Sequence, residues 1–449
     1  MRDILLTVIV LVLLVRTLRR PETGAYLWAW LSLMNPHRMS YGFALSVPWA
    51  YATAVVTLAS MLFSKSRKPL PLNGGTVGLL VLWGWMTLTS AVSINPTDMV
   101  WERWTFVSKI YVMLLATLMV IRGRKQTDTL VWVVVASIAF FGFKGGIFTI
   151  ATGGAYRVWG PPGSMVEENN SLAVALIIVL PLLYYLRHVA TNRWLRHFLV
   201  LTMVLVGAAI LGSQSRGALV GLLVMVFVLG TKTKYPVRFS MVLLTIVAIG
   251  IAFMPDTWSS RMDTIQNFGE DSSAMSRLYT WHTLWNVAVD RPLVGAGFRA
   301  DTTALFARYA PTGQQYAIFQ GASWVAHSIY FQALGEHGFV GLLLYLFLWV
   351  WVWVTSSRLS KQAEKLSEVD AWVPMLLRMC QVSTAGFCAG GAFLSLMNFD
   401  LPFYILAFVT LCQCAVKDRL LQAQAPAPTP AALRAAAGAR LAFQHHELR

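Results

Sequence analysis

Long apolar stretches recur along almost the whole chain, each parted from the next by a short polar connection. A helical run of roughly 17–25 apolar residues crosses the hydrocarbon of a bilayer. Such continuous runs lack the alternation of barrel strands. The pattern predicts spans at approximately 3–18, 24–35, 42–63, 75–93, 103–121, 128–150, 170–187, 197–213, 216–231, 237–254, 338–357, 373–396 and 401–416. The first two are short, so the count is twelve or thirteen according to whether both cross. The expected fold class is an all-α polytopic membrane protein.

Two polar connections are long enough to hold structure of their own, at 151–169 and 255–337. In the second, Leu278, Trp281, Leu284 and Trp285 repeat at helical spacing. Asp290-Arg291-Pro292-Leu293 then ends the helix, and Gly295-Ala296-Gly297 makes a tight turn. A loop of this kind lies on the membrane face and roofs a cavity. The expected organisation is transmembrane helices over 1–254, a loop subdomain over 255–337 and further helices over 338–421. An Ala/Pro-rich tail over 422–449 is expected to be disordered and cytoplasmic.

Composition agrees with the spans. Of 449 residues 57% are hydrophobic and 12% charged, about half the charge of a soluble domain. The net charge of +16 would suggest nucleic acid were it not so placed. Basic residues cluster around Arg16/Arg19/Arg20, Lys65/Arg67/Lys68, Arg122/Arg124/Lys125, Arg187/Arg193/Arg196, Lys232/Lys234/Arg238, Arg358/Lys361/Lys365 and Lys417/Arg419, in every second connection. All therefore fall on one side, which the positive-inside rule makes cytoplasmic along with the C-terminus. Nucleic acid is not an expected partner; membrane lipids are. The run Ile4 to Val15 lacks a small-residue cleavage site and reads as a retained helix. Cys380, Cys388, Cys412 and Cys414 lie in late apolar segments and read as packed thiols.

Cations on the opposite, trans side run against the charge bias and need a reason. Arg216 opens a helix after the short turn Ser213-Gln214-Ser215. There the free N–H groups, the macrodipole and a planar guanidinium together suit a phosphate; snorkelling to lipid headgroups is the plain alternative. Arg277 lies one turn before Trp281, as an anion ligand or a solvated side chain. His327 closes the long loop and suits a general base near neutral pH, or merely caps a helix with Ser328. His337 is its rival, and His282 falls on the exposed face of its helix. Lys109 and Lys144 lie within apolar spans near their trans ends, where a buried cation lines a wet cavity or snorkels. Arg157 lies in a loop leading to Glu167-Glu168-Asn169-Asn170-Ser171, a cluster that caps the next helix or binds sugar hydroxyls. Arg291 precedes the glycine turn. Asp-x-Asp pairs in the trans loops, His/Cys clusters at metal spacing and a phosphate-cradling Gly-Lys loop are all missing, so neither a metal nor another cofactor is expected.

The segment His327-Ser328, nine residues, then Gly338-Phe339-Val340-Gly341 resembles the signature of the bacterial O-antigen ligase family, within the wider ligase and polymerase superfamily. Ser215-Arg216-Gly217, Ser276-Arg277 with Trp281, and Arg291-Pro292-Leu293-Val294-Gly295-Ala296-Gly297 fit it in order. The likeness covers residues 155–345 or so. Asn170 with Leu172-Ala173 is similar to a family segment whose usual proline is here Asn169. Arg20-Pro21-Glu22-Thr23-Gly24 and Met34-Asn35-Pro36-His37-Arg38 look like a subgroup of O-glycosylation ligases associated with exopolysaccharide and protein-sorting loci.

This resemblance implies a GT-C-like, metal-independent, inverting glycosyltransferase in the inner membrane, with its active site on the periplasmic side. It would move a glycan from undecaprenyl pyrophosphate to an acceptor hydroxyl, typically on lipid A-core. His327 would be the base, Arg216 and Arg277 the pyrophosphate ligands. Lys109, Lys144, Arg157, Asn170, Arg291 and His337 are weaker substrate-binding candidates. Polymerisation of O-antigen and protein O-glycosylation are the near alternatives. An anionic-lipid transporter is the distant one, and it would show internal repeats and broken midplane helices.

Overall fold

The computed structural model describes residues 1–65, 67–232, 272–365 and 371–424, with scattered positions between 235 and 252. The span expected at 237–254 and the tail beyond 424 lie largely outside the described residues. The chain is an all-α polytopic membrane protein: the described residues hold helices and turns and no strand.

The helices are α1 (Arg2–Arg19), α2 (Pro21–Met34), α3 (Trp49–Phe63), α4 (Gly74–Ala91), α5 (Thr97–Val120), α6 (Gly123–Ala151), α7 (Asn169–Val189), α8 (Arg193–Gly212) and α9 (Arg216–Thr231). After the loop come α10 (Ser272–Asp290), α11 (Thr303–Tyr309), α12 (Ile329–Ala363), α13 (Trp372–Gly391) and α14 (Asp400–Gln424). Among the described residues six of these, α5 to α8, α12 and α14, are long and apolar enough to cross a bilayer by length and composition alone. The others are shorter or carry more polar residues. Most boundaries lie near those of the apolar runs, but α12 begins nine residues upstream of the expected span at 338, α3 begins seven downstream of 42 and α14 ends eight beyond 416.

Two helices form the centre. Their most apolar windows are 72% buried in α7 and 78% in α14, against 33% in α12, which leaves much of its surface to lipid. Lipid is as apolar as leucine, so helices associate through close packing of small residues rather than through exclusion of water. The crossing of α9 on α13 is of that kind: a side chain at Gly221 would meet the backbone of Gly386 and Gly390 at 3.1 Å. This contact seats the first turn of α9, with Arg216, against the end of α13. There Gly217 lies on Phe393.

The loop between Ser272 and Ser328 has a small core of its own. Tyr279 is 1% exposed and lies 5.5–5.8 Å from the rings of Phe306, Tyr316 and Phe319. Leu284, Val287 and Leu305 fill in around them. His282 is exposed, as its helical position predicts.

The decisive local feature is a break in α12. Gly338 has φ 70° and ψ −173°, inside what is otherwise one continuous helix. A Cβ there would stand 2.3 Å from the Leu293 carbonyl oxygen, and one at Gly341 would stand 2.2 Å from the Cβ of His337. Breaking a helix orphans backbone groups that must find other partners. Here the 291–297 turn supplies them: Ala296 N–H donates to Gly335 O, Gly297 N–H to Glu336 O, both at 2.8 Å, and Phe339 N–H donates to Pro292 O at 2.8 Å. The His337 carbonyl accepts from Trp85 Nε1 at 3.0 Å. Arg291 clamps the same turn, Nε to Gly295 O at 2.6 Å and a terminal nitrogen to Val92 O at 2.7 Å.

Gly338→Ala should therefore destabilise the protein by more than ~1 kcal/mol, since left-handed backbone alone costs an L-residue that much and the Leu293 contact adds to it. Thermal unfolding of the purified protein in detergent measures this. An unchanged midpoint would mean that the break does not depend on glycine.

Candidate active site

A cavity of about 400 Å³ lies where the turn before α7, the loop subdomain, the first turns of α12 and the end of α13 meet α5. Every lining segment belongs to a connection or lies near a helix end. Its lining includes Arg103, Glu167, Glu168, Arg299, Asp301, His327, Gln332, Glu336 and Ser395.

His327 is held at the backbone from three directions. Its N–H donates to Ser395 Oγ at 2.8 Å. The carbonyl before it, on Ala326, accepts from Trp281 Nε1 at 2.8 Å, and Trp281 stacks on Phe331 with centroids 5.1 Å apart. Ser328 caps α12 by accepting from Phe331 N–H. The φ of 44° at His327 is left-handed, a conformation that a non-glycine residue keeps only when its surroundings enforce it. Burial, and after it the positive charge of Arg277, push the imidazole down from 6.5 to about 4. At neutral pH it is thus an uncharged base with a free lone pair.

The other pole of the cavity is acidic and basic together. Ser328, Gln332 and Glu336 follow one another at four-residue spacing, so α12 presents them on one face. Glu336 is 6% exposed; its Oε1 accepts from the Arg299 N–H at 3.3 Å, and the Gln332 amide lies 3.5 Å from Oε2. A buried carboxylate without a countercharge costs several kcal/mol. Arg103 and Arg299 both act on it electrostatically. Arg299 in turn donates from Nε to Asp301 Oδ1 at 2.9 Å.

The expected site residues divide sharply. Arg277 lies close enough for its charge to act on His327. Arg216 opens α9 after the capping Ser215, whose Oγ accepts from Ala218 N–H at 3.1 Å. The turn before it is held by Gln214 Nε2 on Gly154 O at 3.0 Å and Asn169 Nδ2 on Ser213 O at 2.7 Å. Asn170 sits in the first turn of α7, half-buried, beside the cavity-lining Ser171. Arg157 is half-buried in its loop, outside the lining. Lys109 and Lys144 are exposed, with their ammonium groups 5.8 Å from the ring of Tyr51 and 5.6 Å from that of Phe140; neither lines the cavity. Arg291 is occupied by the turn it clamps.

His337 is fully buried. Its Nδ1 lies 2.7 Å from Thr89 Oγ1, and its ring packs edge-on against Phe298 at 4.7 Å. Thr89 Oγ1 also lies 3.0 Å from Met86 O, and His337 Nε2 lies 3.8 Å from Glu336 Oε2. The two histidines, ten residues apart, thus occupy unlike places: His327 lines the cavity and His337 packs beside the helix break.

Arg103, Arg299, Asp301, Gln332 and Glu336 were not among the expected residues. One signal was available for Arg103, a trans-side cation like the others. Another was the polar stripe 328/332/336. Nothing in the sequence joins Arg103 to residues two hundred positions away. Among the described residues no cluster of three His, Cys, Asp or Glu side chains is arranged to hold a metal ion.

Comparison with known proteins divides the chain in two. Residues 1–191 match a family of unknown function, DUF5935, and residues 201–346 match the O-antigen ligase family. The second match decides the reading. Residues 201–346 carry an O-antigen ligase family domain. That domain contains Arg216, Arg277, Arg299, His327, Glu336 and the Gly338 break, whereas Arg103, Glu167 and Glu168 come from the first region. The cavity is therefore lined by both matched regions and, at Leu394, Ser395 and Leu396, by the chain beyond them. The chain is also similar to the exopolysaccharide production protein ExoQ of Rhizobium meliloti (strain 1021), 29% identical over 96 residues. That alignment covers 21% of this chain and 22% of the relative, about a fifth of its length.

His327 should titrate near pH 4 in the folded protein, read by imidazole ¹⁵N NMR and assigned by the signal lost in His327→Gln. The unfolded chain takes up this proton near 6.5 and the folded chain only near 4, so the unfolded state is the more protonated between them. This group's contribution to stability is then present above about 6.5 and is lost as pH falls towards about 4. A midpoint at or above 6.5 would contradict the buried, Arg277-facing placement.

Proposed function

We propose that the chain is an inverting glycosyltransferase of GT-C-like architecture in the bacterial inner membrane, with its cavity facing the periplasm and its C-terminus in the cytoplasm. It transfers a glycan from undecaprenyl pyrophosphate to an acceptor hydroxyl, most simply on lipid A-core, without a metal or other cofactor. The coarser statement, a ligase or polymerase of polysaccharide, is supported by the O-antigen ligase domain and by the ExoQ likeness. The observation that carries the finer one is His327, uncharged and pinned in a polar cavity within reach of the Arg277 charge.

The acceptor oxygen attacks the anomeric carbon as its proton passes to the His327 imidazole. The bond from that carbon to the pyrophosphate oxygen breaks on the opposite face, and pyrophosphate leaves on its lipid. Negative charge grows on the leaving group, and Arg216 and Arg277 stabilise it more in the transition state than in the ground state. Donor binding also strengthens the base: an anion beside Arg277 offsets the field that depresses His327. Glu336, Asp301 and Arg103 face the other side of the cavity, where carboxylate oxygens and a guanidinium suit sugar hydroxyls. Arg157 and Asn170 flank the donor side, and Lys109 and Lys144 meet lipid headgroups.

A polymerase, whose acceptor is a second lipid-linked glycan, is the alternative favoured by the ExoQ likeness. The deciding assay combines purified protein, undecaprenyl-pyrophosphate glycan and lipid A-core. A lipopolysaccharide shift is the expected result, and lengthening of the lipid-linked glycan alone would establish the polymerase. His327→Ala should lower the rate by about 10²–10⁴-fold at unchanged membrane level, the usual worth of a general base; normal transfer would remove His327 from that role. Arg216→Lys and Arg277→Lys should each lose at least about ten-fold if the planar fork grips phosphate. EDTA should leave the rate unchanged, and inhibition reversed by magnesium would overturn the metal-free mechanism.

A further inference from the structure

A second, larger hollow lies away from the active cavity and shares no lining residue with it. It is a cleft of about 920 Å³ between α1, α2 and α6. Its walls are apolar and aromatic, with Leu13, Trp30, Trp132 and Phe140 along its length. One end differs in kind. Arg16 and Arg20 at the α1–α2 turn and Lys125 in the first turn of α6 all reach it, against the single acid Glu22. These three cations are exposed and make no side-chain hydrogen bond or ion pair among the described residues. Tyr26 on α2 donates to the Gln126 carbonyl of α6 at 3.2 Å, which ties the helices together at the charged end.

We propose that this cleft binds an anionic diacyl phospholipid of the cytoplasmic leaflet, with its phosphate among Arg16, Arg20 and Lys125 and an acyl chain along the aromatic wall. Charge complementarity carries the choice of ligand. Three unpaired cations at the end of an apolar cleft form the kind of basic pocket between helices that holds anionic headgroups. The side follows from two of the seven basic clusters, which supply these residues. The length also fits. From Lys125 to Phe140 the helix rises about 22 Å, enough for a headgroup and one leaflet's share of the roughly 30 Å hydrocarbon core. A polyprenyl donor is the less suitable occupant, because its pyrophosphate would sit at the opposite membrane face from the active cavity. The site lies wholly within the DUF5935 region, so it assigns that region a lipid-binding role of its own.

Delipidated full-length protein in detergent, titrated with phosphatidylglycerol or phosphatidylethanolamine and read by native mass spectrometry, tests the assignment. Phosphatidylglycerol should be retained at least ten-fold more tightly. The preference should vanish in Arg16→Gln/Arg20→Gln/Lys125→Gln. Ala136→Trp, which keeps the charges and fills the cleft, should weaken binding equally; melting midpoints near wild type confirm that both variants fold. Equal retention of the two lipids, or an unchanged preference in either variant, would overturn the proposal. So would undecaprenyl phosphate displacing phosphatidylglycerol at a lower concentration, which would give the cleft to polyprenyl lipids instead.

Discussion

The break in α12 is the constraint on which the rest of the site depends. A membrane helix that stops donating to itself must return every orphaned backbone group to a partner. Here the turn 291–297 accepts and donates on both sides of Gly338, while Trp85 takes the His337 carbonyl. The turn can approach only because residue 338 has no side chain, while the bare Gly341 makes room for the side chain of His337. Once docked it delivers Arg299 and Asp301 into the cavity opposite Glu336. The spacing from His327 to Gly338 and Gly341 thus has a mechanical meaning. It is the length of helix between the histidine's pinned backbone and the point where the loop subdomain must be joined to the bundle.

The two matched regions share the cavity with residues 394–396, and electrostatics links the first region to the second. Glu336 is too deeply buried to ionise at low cost by itself, and the ligase domain offers it Arg299 alone, already bonded to Asp301. Arg103 on α5 supplies the second positive charge from outside that domain. Glu167 and Glu168, also from the first region, close the opposite wall. The ligase domain alone is therefore a partial description of a site whose lining is completed by segments outside it.

His327 and His337 show how far burial outweighs residue type. Both are histidines at the start of the same helix, and both come from the same stretch of polar sequence. One has its backbone fixed by Ser395 and Trp281 and lines a cavity; the other is enclosed by Thr89 and Phe298 beside the helix break. The first has access to the cavity. The second is fully buried and lies outside the cavity lining.

Much of this was legible in the sequence, because lipid imposes a one-dimensional code. Helix length, apolar content and the alternation of basic connections are set by bilayer thickness and surface charge, and so the all-α class, the helix boundaries, the end of α10 at Asp290 and the glycine turn after it could be read directly. His327 was legible because it ends a long polar excursion at the start of a helix. The partners of that histidine were not. Arg103 and Glu336 are separated by more than two hundred residues, and each alone reads as an ordinary polar residue at a helix end. Lys109 and Lys144 promised more, as cations in apolar spans, but a helix pattern does not say which way a side chain turns, and both face outward. The sequence by itself determined the all-α class and most of the apolar helices, because bilayer thickness sets their length and content. Only the tertiary structure decided which polar residues meet, because a break in one helix, braced by a turn from another part of the chain, brings Arg299, Asp301 and Glu336 into one cavity with His327 and Arg103.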